Sequence, residues 1–433
     1  MLKSNIAWMK KNVPSDLKVW KGMIQDIDWS QVAAKTKLSL QRDKDRITAE
    51  FKEFAAMDTS AKIDWLMNGD RHLGYLYKKD AIAFARREWK GLKSVGYDFV
   101  GWLKIWGGML NMVMKDPMSI MLAVFEYHWF ASYLATPAVV DRSVFGRRGK
   151  LLQADFDMWV AITHWAEDLI ANLIMADAKI GGNQKINKRI IMFDEMTMAQ
   201  MMAGFPNLLG IPYQMIPVFM VSEMDQLTLI PYIDAIESYG LPSDTCPLPT
   251  AECGCAVKDE YPMCGQGFIA SSMPCDGSVM ATSFQDRRFS KFMPSYPLCM
   301  PVRYDDEDTT EMAAADMKDC IHWVEGLTGE TWNWDTYFAT MEKMNECTRL
   351  EMEKWEINKT HYPQLVGSSF ELFRKWNYEM DGGLFPEGLK TQRKICKTMM
   401  ETYEKKLPAY VGGYEKYLSL IHISEPTRHS LIS

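Results

Sequence analysis

Four short apolar runs, each five to eight residues long, begin at position 189 and constrain this chain most. They read RIIMF (189–193), QMIPVFMV (214–221), GFIASSM (267–273) and PLCMPV (297–302), with helical periodicity between them at 224–239 and 279–292. A run that is apolar at nearly every position has no face to offer water, so each is predicted as a strand covered on both sides. Strands alternating with helices predict an open parallel sheet. The predicted class is therefore α/β, with a helical N-terminal region, a Rossmann-like open parallel-sheet domain and a helical segment after it.

Boundaries follow from where the period changes. Residues 1–185 place apolar and aromatic side chains at three-and-four spacing, as in Ile63, Leu66, Met67 or Phe156, Trp159, Val160, Thr163, and are predicted helical. Gly181, Gly182 and Asn183 break that pattern, and the sheet domain is assigned to 186–308. Helical period returns over 309–417, through Ala313, Met317, Cys320, Ile321 and Val324. Residues 418–428 read LSLIHISEPTR, the translation of a transposon-end adaptor used in shotgun sequencing libraries, so 418–433 are expected to be a non-native tail.

Charge excludes one class of function. The net charge is −7, from 49 basic against 56 acidic residues, whereas a general nucleic-acid binder is basic overall. The first 100 residues hold 19 Lys and Arg against 13 Asp and Glu, a local excess that exposed helix faces account for. No apolar core followed by small residues opens the chain, so no secretory signal is expected and a cytoplasmic protein is. The most apolar stretch, 117–140, is interrupted by Glu126 and His128, and a buried helix is predicted there rather than a membrane span. The 33 methionines read as fillers of helical cores.

The strongest chemical signal is a cluster of five of the nine cysteines, Cys246, Cys253, Cys255, Cys264 and Cys275, within thirty residues. Their gaps form neither the paired knuckles of structural zinc sites nor a ferredoxin run. Cys275 closes the run GFIASSM and precedes a helical stretch, where a helix N-terminus favours a thiolate. Cys246 is expected in a loop after a helix, and Cys253, Cys255 and Cys264 in loops as well. Cys320, Cys347 and Cys396 fall in helical patterns and read as buried small hydrophobes, and Cys299 as core. Asp194 and Glu195 follow the first run, where Glu195 is the acid-base candidate and a capping pair is the plainer reading. His164 and His322 receive no role. Arg287 and Arg288 suit either an anionic phosphate or an exposed helix face.

At these residues the sequence resembles the 2-hydroxyacyl-CoA dehydratase and benzoyl-CoA reductase family, iron-sulfur proteins that act on CoA thioesters in anaerobes. SYGLPSDTC (238–246) resembles the family's helix, glycine and Asp-x-Cys loop, and GFIASSMPCDG (267–277) its strand ending in a second cluster thiolate. HWVEGLTG (322–329) resembles its Leu-Glu-x-x-Thr-Gly segment. The resemblance implies a four-iron four-sulfur cluster on Cys246 and Cys275, with FMN as a possible companion cofactor. It implies a third thiolate from a second α/β domain that this chain lacks. It further implies an ATP-dependent activator protein, a related second subunit, and a CoA-thioester substrate dehydrated to an enoyl-CoA through a ketyl radical. Nucleic acid and membrane are not expected partners. A benzoyl-CoA reductase-type subunit and a zinc-stabilised or metal-free interaction protein stay as alternatives.

Overall fold

The computed structural model describes residues 28–68, 91–134, 149–180, 189–193, 202–212, 226–271, 276–299, 306–362 and 386–406, with a few isolated positions between them. Six helices come first: α1 (Trp29–Ala56), α2 (Thr59–Asn68), α3 (Leu92–Lys115), α4 (Pro117–Glu126), α5 (Phe130–Leu134) and α6 (Gly149–Ala176). The sheet unit follows as β1 (Arg189–Phe193), β2 (Leu208–Pro212), α7 (Ile230–Glu237), α8 (Pro247–Val257), β3 (Gly267–Ser271), α9 (Asp276–Phe289) and β4 (Ser295–Leu298). Three helices close the described chain: α10 (Glu307–Thr328), α11 (Trp334–Asn358) and α12 (Pro386–Glu404). The protein is an α/β fold with large helical regions.

All four strands are parallel, in the order β2-β1-β3-β4. The pleat sorts their side chains cleanly. Ile190, Met192, Phe268 and Ala270 enter one core with α6, α7, α8 and the end of α9. Ile191, Phe193, Ile269 and Leu298 enter another with Phe205, Trp332 and the Cys320, Ile321, Val324 face of α10. Helices thus cover both faces, which is why β1 and β3 are apolar throughout. The first core also takes in Trp129, Phe156, Ile170 and Ile174, so the N-terminal helices and the sheet share one apolar interior.

One of the predicted strands shifts and one is replaced. The run at 297–302 begins earlier, as β4, and within GFIASSM the described residues Gly267–Ser271 form β3. The run at 214–221 is not the second strand: Pro217 and Val218 are in π-helical conformation and Val221 is helical. That strand is β2, where Gly210 and Pro212 dilute the apolar pattern. Gly210 is required there, because a Cβ would stand 2.8 Å from the Phe193 ring and 2.7 Å from Met202 Cγ. The stretch predicted as one buried helix is two, α4 and α5, broken at 127–129. No helix among the described residues is long and apolar enough to cross a membrane.

Local signals set the helix ends. Asp116 caps α4, accepting from Ser119 N at 3.2 Å with Pro117 in the first turn, and so separates it from α3. Asp306 caps α10 through Thr309 N at 2.7 Å, Glu307 and Asp308 sit at its positive end, and Gly329 stops it at φ 72°.

Candidate functional site

In an open parallel sheet, ligands bind beyond the carboxyl ends of the strands, where the strand order reverses. Here β2 lies on one side of β1 and β3 on the other, so the reversal falls between the ends of β1 and β3, at Phe193 and Ser271. Glu195 follows β1 in sequence and Cys275 follows β3; both lie outside the described residues.

Helices α8 and α9 bring a further part of the chain to this edge. The end of α9 returns to the start of β3, with the Phe289 and Phe268 rings 5.1 Å apart. Helix α8 runs alongside it in the same direction. Arg288 pairs with Asp259 just past the end of α8, Tyr261 and Phe289 rings meet at 6.1 Å, and Cys253 packs on Ala281. Partners along the pair stay 28 or 29 positions apart, so the two helices begin side by side at the carboxyl edge. Cys246 is the N-cap of α8, and Asp276 opens α9.

Cys246 lies at the end of the loop after α7, as expected, where it is the N-cap of α8, and it is exposed. Its carbonyl accepts from Thr250 N at 3.2 Å and Thr250 Oγ1 at 2.8 Å, while its side chain makes no capping bond and is exposed. Pro247 suits the first turn, where an N–H has no partner inside the helix. Two helix N-termini at one level also set two positive dipole ends toward the same space, which favours an anionic group.

The other clustered cysteines do not share this edge. Cys253 and Cys255 lie within α8, not in loops, and are buried on different faces of it. Burial pushes the Cys253 thiol up to about 12, with the nearby Glu252 adding to it, and pushes Cys255 well above the ordinary thiol range. Cys264 is in a loop as expected but buried, its sulfur 3.9 Å from Met192 Sδ, and burial raises it likewise. These are packed thiols, not thiolates. Among the described residues no three His, Cys, Asp or Glu side chains come together to hold a metal. Cys320, Cys347 and Cys396 are buried in helices as expected, whereas Cys299, expected in the core, is exposed just past β4.

Arg288 is claimed by structure. It pairs with Asp259 at the amino end of the sheet, beside Lys179, which meets Asp259 Oδ1 at 3.2 Å. Burial and the neighbouring Arg288 bring Lys179 down to about 8. Arg287 is exposed on the last turn of α9, again at the amino end. Neither arginine is positioned for a ligand at the carboxyl edge. His322 is exposed on α10.

A cluster of titratable groups that the sequence did not announce lies between α3, α6 and α12. His164 Nδ1 is 3.1 Å from Glu387 Oε2 and its Nε2 is 3.0 Å from the Lys104 carbonyl, so both ring nitrogens face acceptors. The hydrogen bond to Glu387 raises His164 and lowers Glu387. One turn along α6, buried Glu167 lines a cavity of about 370 Å³ with Lys104, Gly107, Gly108 and Asn111. Only the pairing of α6 with α12 reveals it; no local motif does.

Comparison with known proteins bears on the sheet unit and the helices after it. No curated protein gives a significant match to the chain. Residues 226–420 match the family model described as 2-hydroxyglutaryl-CoA dehydratase, D-component. The match opens at the turn before α7 and takes in Cys246, α8, β3, α9 and the three closing helices. Over this segment the chain is similar to the 2-hydroxyglutaryl-CoA dehydratase D-component family.

Proposed function

We propose that this chain is a cytoplasmic subunit of an (R)-2-hydroxyacyl-CoA dehydratase, binding a CoA thioester and eliminating water to an enoyl-CoA. The observation that carries the reading is the common level of the α8 and α9 N-termini at the carboxyl edge, inside the family-matched segment. Cys246 stands at the first of these ends with a thiol that no cap or core employs. Cys275 immediately precedes the second in sequence. Two thiols 29 positions apart, ahead of helices whose partners keep that same spacing, fit a four-iron four-sulfur cluster as its donors from this chain. Such a cluster, when bound, supplies a single low-potential electron and an open iron position.

The chain's own residues supply the rest. Cys246 and Cys275 would hold the cluster, and the two helix ends would stabilise its negative charge. Glu195, which follows β1 in sequence, moves the substrate proton. Buried apolar side chains beneath the edge, Phe193 and Ile269 among them, keep water from reaching it through the sheet. A related second subunit completes the site, and an ATP-dependent activator delivers the electron.

The test is anaerobic expression together with the neighbouring genes, with iron, acid-labile sulfide and the reduced-state EPR spectrum recorded for the wild type, Cys246→Ala and Cys275→Ala. Iron and sulfide in the wild type, lost in either variant, are expected; Glu195→Gln is expected to keep the EPR signal and lose turnover by about 10²-fold or more. Zinc in place of iron, or iron unaffected by both cysteine substitutions, overturns the reading. Turnover of an aromatic acyl-CoA but of no 2-hydroxyacyl-CoA assigns the chain to the reductase branch instead.

A further inference from the structure

Helix α3 is apolar on two opposite faces: one packs on α6, and the other, apart from the contact of α2 near its first turn, is exposed among the described residues. Ile105 and Met112 are buried against α6, and Gly101 and Gly108 let the helices touch: a Cβ at either would collide with Phe156 or Glu167. The opposite face repeats at three-and-four spacing through Leu92, Val95, Phe99, Leu103, Trp106 and Leu110. These are exposed, Phe99 by 58% and Leu110 by 60%. Phe99, Trp102 and Trp106 form a ladder of rings along it, at 6.5 and 5.5 Å. The patch runs on past the α3 and α4 junction through Met114, Met118 and Met121.

Size and shape say what covers such a face. Counting all its side chains, it exposes on the order of 1,000 Å² of apolar surface, beyond the roughly 300–600 Å² of a monomer's largest patch and close to the ~800 Å² each partner contributes to a stable interface. It is also matched to itself. Gly96 and Gly107 lie along its margin with open space where a Cβ would stand. In an antiparallel helix pair with its two-fold axis at Leu103, Phe99 of one copy falls over Gly107 of the other, and Leu110 falls over Gly96. Leu92 then meets Met114. Phe99 and Leu110 each face a gap, while Leu103 meets its own copy on the axis, as an isologous interface allows.

We propose that this face of α3 joins two copies of the chain through an antiparallel pair of α3 helices. The proposal goes beyond the dehydratase reading and needs neither cluster nor substrate, so the two stand or fall separately.

Sedimentation velocity on the full chain at micromolar concentration tests it, beside Trp106→Glu, Leu110→Glu and Leu103→Cys. A dimer is expected for the wild type, with its dissociation constant raised roughly thirtyfold or more in each glutamate variant, as for an interface hot spot. Circular dichroism should stay unchanged, because both positions are exposed. Under mild oxidation Leu103→Cys should give a covalent dimer that the wild type, despite exposed Cys246 and Cys299, does not. Four outcomes overturn the proposal: a monomeric wild type; a dimer that survives both glutamates; a monomer that binds vesicles of phosphatidylcholine and phosphatidylglycerol through Trp106; or association only with the related subunit from a neighbouring gene.

Discussion

Glu167 is taken out of water with no hydrogen-bond partner for either oxygen among the described residues, its carboxyl packed against the α3 backbone at Gly108. Burial pushes it up to about 8, with His164 pulling the other way. Between the ordinary glutamate range and that value the folded chain holds a proton the unfolded chain has lost, so stability falls as pH rises through this window. His164 acts in the same direction, being raised by Glu387: what it contributes is present at low pH and lost as pH climbs past its folded value. Glu387, held low, loses its contribution on the acid side. Glu167→Gln should therefore raise the melting temperature at pH 9 and flatten its decline from pH 5, measured by differential scanning fluorimetry. A lower melting temperature at pH 9 would show that the carboxylate has a partner or a task. None of this was legible locally, since His164 and Glu387 are 223 positions apart. The buried helical cysteines were legible, because their apolar neighbours repeat at helical spacing.

Among the elements, α7 and α8 approach backbone to backbone. A Cβ on Gly254 would lie 1.9 Å from the Tyr232 carbonyl oxygen, a backbone atom that cannot swing aside. Gly254→Ala should cost about 1–3 kcal/mol through forced separation of the two helices, read from urea unfolding. Asp306→Ala, which removes the α10 cap, should cost about 1 kcal/mol in the same assay. A cost near zero for either would mean that the helix end or helix pair relaxes freely. Strands β1 and β3 could be read from sequence because burial on both faces demands apolar residues throughout. The run at 214–221 misled for the same reason: a short apolar stretch suits a buried helical turn as well as a strand, and period cannot separate them. Cys253 and Cys255 were expected in loops, yet they lie in a helix that opens on Pro247, because the first turn tolerates proline where its N–H groups have no partners anyway.

At the scale of the molecule, a buried polar seam fastens the N-terminal helices to the sheet unit. Asp177, just past α6, accepts from the Tyr127 hydroxyl, from Met263 N at 2.8 Å and from Lys179 N at 3.1 Å. Glu260 accepts from Tyr232 Oη at 2.5 Å and His128 N at 2.8 Å, and its carbonyl takes the Trp129 indole N–H at 2.9 Å. Asp177→Asn presents a donor where one of these partners needs an acceptor, and the loss in a buried site is expected at about 1–3 kcal/mol. The calorimetric transition should broaden or split as the helical half loosens from the sheet; a single sharp transition at the wild-type temperature would mean the apolar core alone couples them. The broad alternation of helices and strands announced the fold class, but not this seam, because its members come from four separate stretches of sequence. Strand β1 carries a last consequence, for synthesis. It is a central strand whose partner β3 is translated roughly 75 residues after it, so at ~5–20 residues per second the RIIMF segment trails the ribosome for several seconds with one edge unpaired. During that interval the segment is an unpaired apolar edge, open to pairing with neighbouring nascent chains until β3 arrives.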